Sequence, residues 1–251
     1  QAKEFILPKE LLEQDCVISL SKMKTHALER ITGAVKNSYG FVYGFHKAKG
    51  HTQYPSADSF ARMLIDLNKC VAPELYVMDG IVAMEGNGPG SGDPVPMNVL
   101  LMSTDPVALD SVFSRLVYLK PEMVPTNYHG EKMGLGTWKE EEITLLIPDG
   151  EISMAEAVKK YGNPAFNVDR TEVRKNIWTR MAGALNIFQK KPYIEADKCV
   201  RCGICVQSCP VPGKAVDFRK GKGKPPVYDY RKCIRCFCCQ EMCPKKAIKV
   251  K

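Results

Sequence analysis

The most constraining feature of this chain is a cluster of cysteines near its C-terminus. Eight of the eleven cysteines form two copies of the pattern C-x2-C-x2-C-x3-C-P, at positions 199, 202, 205, 209 and 233, 236, 239, 243. Tetrathiolate zinc sites usually separate two C-x2-C pairs by a longer loop, whereas here four cysteines are packed into eleven residues. Disulfides would not require this fixed spacing. The pattern therefore predicts two [4Fe–4S] clusters.

The two cysteine motifs belong to a longer internal repeat. Residues 193–202 align with residues 227–236 at an offset of 34, and the similarity continues through Cys209-Pro210 and Cys243-Pro244. A duplicated unit predicts a module with pseudo-twofold symmetry.

Residues 191–251 closely resemble the bacterial two-[4Fe–4S] ferredoxin family. The resemblance implies a small α+β domain that moves single electrons at low potential, with clusters close together. It also implies the oxygen sensitivity that is common in proteins of anaerobes.

The repeat suggests which cysteines hold each cluster, because in two-cluster ferredoxins the fourth cysteine of each motif ligates the other cluster. We expect the first cluster to use Cys199, Cys202, Cys205 and Cys243. We expect the second cluster to use Cys233, Cys236, Cys239 and Cys209. Such crossed ligation would staple the two halves together, so the domain without clusters should fold poorly.

Three cysteines lie outside the motifs. Cys238 is surplus to the second motif and is interpreted as a buried or reactive thiol. Cys16 and Cys70 are expected to be core residues.

The positive charge is concentrated in the C-terminal quarter. The whole chain carries a net charge of +8, but residues 190–251 carry +11 and residues 1–189 carry −3. A four-thiolate cluster is itself anionic, so nearby Lys and Arg offset its charge. This explanation is preferred to nucleic-acid binding, and the basic surface could dock a redox partner protein through an acidic patch.

No apolar run is long enough to span a membrane, and cysteine usage favours a reducing cytoplasm.

The larger N-terminal part alternates between strand-like and helix-like segments. Strands are predicted at residues 16–20, which would be buried, and at 75–78, 98–102 and 143–147, with helices at 27–36, 59–70 and 105–119. This alternation indicates an α/β domain over residues 1–150, with a mixed or mostly parallel sheet and helices on both faces. A mostly helical linker is expected over residues 151–190, and the ferredoxin-like domain over 191–251.

Three polar segments of the N-terminal part are candidates for a site. Lys24 and His26 follow the first predicted strand, where ligand-facing residues of α/β sheets often lie. Residues 36–51 add Lys36 and several other basic residues, including His46 and His51, which could bind metal or lie exposed to solvent. The glycine-rich stretch 86–92 could cradle an anion or simply form a tight turn.

These segments resemble the iron–sulfur family called domain of unknown function 362. The resemblance rests on Lys22–His26, on residues 31–37, on residues 78–80 with 85–89 and on residues 105–110, and it covers about residues 10–150. Members often carry this domain ahead of a two-cluster ferredoxin domain. The family's usual first portion is not found, which suggests that the sequence is a fragment.

Three functions remain open from the sequence. The first is electron transfer through the two clusters to or from a partner or a pocket of the N-terminal domain. The second is a self-contained reductase of a small anionic substrate, in which Lys24, His26 and Lys36 bind the substrate or supply protons. The third is a ligand-binding protein whose clusters are purely structural.

Overall fold

The protein is represented by a computed structural model that describes residues 2–43, 46–172 and 190–250. The chain divides into two compact units, residues 1–169 and residues 170–251. Residues 151–169, expected to be a linker, belong to the first unit, and Phe166 is fully buried in its core. The linker residues 173–189 lie outside the described part of the chain.

A four-stranded mixed sheet lies at the centre of the first unit. Its strands are β1 (Ile18–His26), β2 (Arg30–Thr32), β3 (Leu75–Glu85) and β4 (Asp93–Ser103), arranged in the order β2-β1-β3-β4. Strands β1 and β3 are parallel, and the other two pairs are antiparallel. This arrangement confirms the prediction of an α/β domain with a mixed sheet and helices.

The helices and a small hairpin complete the first unit. The helices are α1 (Lys9–Leu12), α2 (Ala34–Asn37), α3 (His46–Gln53), α4 (Ala57–Val71), α5 (Pro106–Leu116), α6 (Pro125–Lys132) and α7 (Met154–Tyr161). The hairpin pairs β5 (Leu145–Ile147) with β6 (Gly150–Ile152). Short 3-10 turns occur at Ser38–Phe41, Pro121–Met123 and Glu140–Glu142.

Local sequence signals explain the two longest helices. In α4 the Ser56 hydroxyl accepts a hydrogen bond from the N–H of Ser59, and Phe60, Met63 and Leu64 are buried on one face. In α5 the Asp105 carboxylate caps the first turn and Pro106 occupies its start, as predicted. The helix ends at Leu116 rather than at residue 119.

The predicted helix over residues 27–36 is wrong. Residues 27–29 form a turn, β2 follows, and only the short α2 is helical. The His26 Nδ1 atom accepts hydrogen bonds from the backbone N–H groups of Leu28 and Glu29, both at 3.1 Å. These bonds hold a turn that returns the chain alongside β1.

Among the described residues, helices cover one face of the sheet. The core on that face includes Met78, Met97 and Phe113, and helices α2, α5 and α7 contact the strands. The alternate residues Ile18, Leu20, Leu100 and Met102 are exposed. The first strand is therefore not buried on both faces, and the expected helices are seen on only one face. Cys16 and Cys70 are also exposed rather than in the core.

The second unit contains two short helices and four short strands, and the strands form two antiparallel two-stranded sheets. These elements are β7 (Pro192–Ile194), α8 (Ile204–Gln207), β8 (Val216–Asp217), β9 (Val227–Tyr228), α9 (Cys238–Glu241) and β10 (Ile248–Val250). Strand β7 pairs with β10, and β8 pairs with β9. Each pair joins the start of one repeat to the end of the other. This reciprocal strand pairing between the repeats gives the pseudo-twofold module that the repeat predicts.

Candidate metal centre and N-terminal site

One small cavity of the second unit is lined by thiols from both cysteine motifs. Cys199, Cys202, Cys205 and Cys243 all face it. The pKa of Cys205 is raised to about 11, mainly by burial and also by the neighbouring thiols of Cys199, Cys202 and Cys243. The last cysteine of the second motif therefore shares one space with the first three of the first motif.

The remaining thiols form a second group. Burial raises the pKa of Cys233, and so do the nearby thiols of Cys236 and Cys209. Burial also raises the pKa of Cys239, with further contributions from Cys236 and Cys233. The thiol of Cys205 contributes as well, which indicates that the two groups are neighbours.

The two thiol groups fit [4Fe–4S] clusters by the chemistry of their donors. Four cysteines per site are the usual ligands of such a cluster, and a ligand must be a thiolate. Burial of Cys205, Cys233 and Cys239 disfavours bare thiolates, so a bound cation is needed to stabilise them. Backbone N–H groups also point at sulfur. Ala215 donates to Cys209 Sγ and Ala247 donates to Cys243 Sγ, both at 3.3 Å.

Two side chains near the second group also bond to sulfur. The Tyr228 hydroxyl donates a hydrogen bond to Cys239 Sγ at 3.1 Å. Cys238 hydrogen-bonds to Cys236, which lowers the pKa of Cys236. The sequence marked Cys238 only as a surplus thiol and gave no signal for Tyr228, whose role depends on the pairing of β8 with β9.

Basic side chains lie close to the thiols. Lys214 Nζ donates to the carbonyl oxygen of Cys209 at 2.7 Å. Arg235 is buried, with 7% of its surface exposed, and its charge lowers the pKa of Cys233. These cations are placed to offset the negative charge of a cluster, as the charge distribution suggested.

In the first unit, two of the predicted segments meet at the end of β1. The Thr25 hydroxyl donates to the carbonyl oxygen of Gly86 at 3.0 Å and accepts from the N–H of Gly88 at 3.2 Å. A Cβ atom at Gly88 would lie 2.1 Å from the Thr25 carbonyl oxygen, so this close approach requires glycine. The glycine-rich loop connects β3 to β4 and packs on the Lys22–His26 segment.

The candidate residues of β1 have different environments. His26 is buried, and its Nδ1 atom accepts two backbone hydrogen bonds, so Nδ1 carries no proton. Lys24 is half-buried. Lys22 forms an ion pair with Asp79, at 2.6 Å between Nζ and Oδ2.

Glu29 is a buried acid that the sequence did not mark as a candidate. It is fully buried, and among the described residues neither of its carboxyl oxygens has a hydrogen-bond partner. Burial raises its pKa well above the ordinary value, the positive charge of Lys36 opposes this shift, and Asp58 adds to it. Lys36 is a half-buried residue whose positive charge acts on this carboxyl group. Glu29 is therefore a site where the fold can hold a proton.

A metal role for the histidines receives no support from the described residues. His51 is buried and stacks on Phe60, with ring centroids 4.5 Å apart, so it is a packing residue and not an exposed one. The side chains of His46 and Lys49 lie outside the described part of the chain. Within that part, no group of three or more His, Cys, Asp or Glu side chains is arranged to hold a single metal ion.

Over the described residues, no helix has both the length and the apolar character needed to cross a membrane.

Comparisons with known proteins give matches for both parts of the chain. Residues 1–115 match the family model called Domain of unknown function (DUF362), and residues 191–244 match that of a 4Fe-4S dicluster domain. A protein named thylakoid-associated protein sll1697, from Synechocystis sp., is 42% identical over 130 residues. The match covers 51% of this chain and 40% of that protein. No solved structure shows significant similarity to the chain.

Proposed function

The chain joins a region that matches the DUF362 family model to one that matches a 4Fe-4S dicluster domain. From this arrangement we propose that the protein passes single electrons through two [4Fe–4S] clusters. The observation that carries this proposal is the cavity lined by Cys199, Cys202, Cys205 and Cys243, which draws on both motifs. A second thiol group beside it gives electrons a short path between two sites.

The cysteines would hold the clusters in the crossed arrangement. Cys199, Cys202, Cys205 and Cys243 are assigned to the first cluster, and Cys233, Cys236, Cys239 and Cys209 to the second. Each cluster, when bound, supplies one-electron chemistry. The protein's own contribution is to donate hydrogen bonds to the thiolates and to place cations beside them.

The proposed partner is a redox protein with an acidic docking surface. The described part of residues 190–251 is rich in exposed Lys and Arg, which would attract such a surface and speed its association. Because low-potential clusters need reducing conditions, we place the protein in a reducing compartment such as the cytoplasm. The relative's printed name associates that protein with thylakoids.

The experiment is purification without oxygen, followed by iron and sulfide assays and EPR of the dithionite-reduced protein. The proposal expects about eight iron atoms per chain and a spectrum of two coupled paramagnets. Stoichiometric zinc without inorganic sulfide would overturn the cluster assignment. Clusters that are present but resist reduction would instead favour a structural role.

Glu29 favours a second candidate function, a reductase of a small anionic substrate. A buried acid whose pKa is raised by burial, and on which the charge of Lys36 acts, is suited to deliver protons as electrons arrive. Lys24 and Lys36 would bind the anion, and His26 would hold the turn that carries Glu29, because its Nδ1 atom accepts the Glu29 N–H.

The reductase reading is tested by mass spectrometry of small molecules released from the purified protein. It expects an anion in the wild type that is depleted in Lys36→Ala. Lys22→Ala is the matched control, because Lys22 is exposed and paired with Asp79. Equal anion content in both variants, or none in the wild type, would remove this candidate.

A further inference from the structure

We propose that Tyr228 raises the reduction potential of the second cluster above that of the first, so that the second cluster holds the electron in the singly reduced protein. This inference rests on the proposed function and adds to it which of the two clusters is reduced first. It depends on a comparison that the repeat makes possible, because each residue near one cluster has a counterpart near the other.

One pair of backbone hydrogen bonds to cysteine sulfur is matched between the two groups. Ala215 donates to Cys209, a proposed ligand of the second cluster, and Ala247 donates to Cys243, a proposed ligand of the first. Both bonds measure 3.3 Å. These amides therefore act equally on the two sites and cannot distinguish their potentials.

The side-chain donors are not matched. Tyr228 donates its hydroxyl to Cys239 Sγ at 3.1 Å. Its counterpart at the repeat offset is Ile194, which has no donor and lines the cavity of the first cluster. The strand pairing supports the equivalence, because Tyr228 is opposite Val216 in one two-stranded sheet and Ile194 is opposite Ile248 in the other.

A hydrogen bond to a ligand sulfur favours the reduced cluster. Reduction adds negative charge that spreads onto the thiolates, and an O–H donor stabilises this charge, so the potential rises. The Tyr228 side chain is half-buried, which reduces the competition of water for its hydroxyl and strengthens such a bond.

Two further differences between the groups also raise the reduction potential of the second cluster relative to the first. Cys238 hydrogen-bonds to Cys236, whereas the counterpart of Cys238 in the first motif is Ile204. Arg235 is buried beside the second group, whereas its counterpart Arg201 is exposed. A buried cation stabilises the reduced cluster more than a hydrated one does.

Solvent access acts in the opposite direction. Cys202 of the first group is exposed, whereas Cys236 and Cys239 are buried, and a less hydrated cluster is harder to reduce. The hydrogen bonds and the guanidinium act directly beside the second group. We infer that these direct interactions outweigh the difference in hydration.

The test is Tyr228→Phe, which removes the hydroxyl and keeps the ring. Tyr230→Phe is the matched control, because Tyr230 stacks on Tyr228 but donates its hydroxyl to the Pro192 carbonyl oxygen at 2.9 Å. Anaerobic redox titrations would be followed by EPR and by proton NMR of the cysteines. The hyperfine-shifted signals, assigned to each motif, show which cluster is reduced at each potential.

In the wild type we expect the second cluster to be reduced first. In Tyr228→Phe the reduced-to-oxidised ratio of that cluster at a fixed potential should fall by about tenfold, equivalent to ~59 mV for one electron. Tyr230→Phe should leave both clusters unchanged. Earlier reduction of the first cluster, or equal effects of the two variants, would overturn the inference.

Cys238 provides an independent variant. Cys238→Ala should lower the potential of the second cluster, and Cys238→Ser, which keeps a donor, should restore much of the loss. If neither substitution at position 238 nor Tyr228→Phe moves a potential, hydrogen bonding does not order the clusters. Iron and sulfide assays on the same samples separate this outcome from a failure of the proposed function, which would show as missing clusters.

Discussion

The Asp110 carboxylate accepts a 2.6 Å hydrogen bond from the backbone N–H of Ala34 although Asp110 is fully buried. Its other oxygen accepts from the N–H of Val35 at 3.1 Å. Asp110 lies on α5 and Ala34 begins α2, so one side chain joins two helices that contact the sheet. Burial raises the pKa of Asp110 to about 7, although the two amides act against this shift.

The Asp110 side chain should make the stability of the first unit depend on pH. The folded state binds this proton more tightly than the unfolded chain does, so protonation stabilises the fold. This contribution to the free energy of unfolding is fully present when the pH is below 3.8, the ordinary pKa of an Asp side chain, and it is lost as the pH rises through about 7. The free energy of unfolding should change through this group by at most about 1.4 kcal/mol per pH unit.

The measurement is urea unfolding of the wild type and of Asp110→Asn between pH 4 and pH 8. Asp110→Asn cannot ionise, so the difference in free energy of unfolding between the two proteins should change across this range. Other buried acids, Glu29 among them, add to both profiles and cancel in the difference. Parallel profiles would show that Asp110 does not titrate in this window.

A side chain at Gly33 should disrupt the same junction. A Cβ atom there would lie 1.9 Å from Asp110 Oδ1 and 2.9 Å from Met78 Cε. Because both neighbours are buried, Gly33→Ala should lower the free energy of unfolding by roughly 1–3 kcal/mol or more. Gly40→Ala is the control, since a Cβ atom at Gly40 meets nothing within 4 Å. Equal stabilities of the two variants would contradict the predicted clash.

The predictions from sequence that were confirmed depend on local chemistry. Asp105 followed by Pro106 marks the start of α5 because both residues act within one helical turn. The cysteine motifs predicted an iron–sulfur domain from their spacing alone, and a 4Fe-4S dicluster family model matches the same region.

The predictions that failed concern residues whose environment is set by distant parts of the chain. The apolar pattern of residues 27–36 is compatible with a helix, but hydrogen bonds to His26 and the distant Asp110 carboxylate fix a turn, a strand and a short helix there. The burial of Glu29 and the exposure of Cys70 likewise follow from packing, which single-sequence patterns do not contain.

Cys243→Ser should expose cysteines of the first motif, not those of its own motif. If Cys243 ligates the first cluster, its loss should release that cluster and about half of the iron and sulfide. Anaerobic alkylation followed by mass spectrometry should then label Cys199, Cys202 and Cys205. Cys70→Ser, an exposed position in the first unit, should leave the clusters intact. Labelling of Cys233, Cys236 and Cys239 instead would contradict the crossed ligation.

Removal of the clusters should unfold the second unit and leave the first folded. The second unit has strand segments of two or three residues, and its core of Ala215, Val216 and Ile248 is completed by cysteines. A unit of this size buries too little apolar surface to offset the conformational entropy lost on folding, so it needs a bound group for stability. The first unit has cores of its own, centred on residues such as Leu64 and Phe113.

The measurement is hydrogen exchange followed by mass spectrometry before and after anaerobic treatment with an iron chelator. Backbone amides of β7 to β10 should lose their protection, including the Ala215 and Ala247 amides that bond to sulfur. Amides of α4 and α5 should exchange at unchanged rates. Retained protection throughout residues 190–250 would mean that the polypeptide alone holds the two small sheets, and the clusters would then serve only to carry electrons.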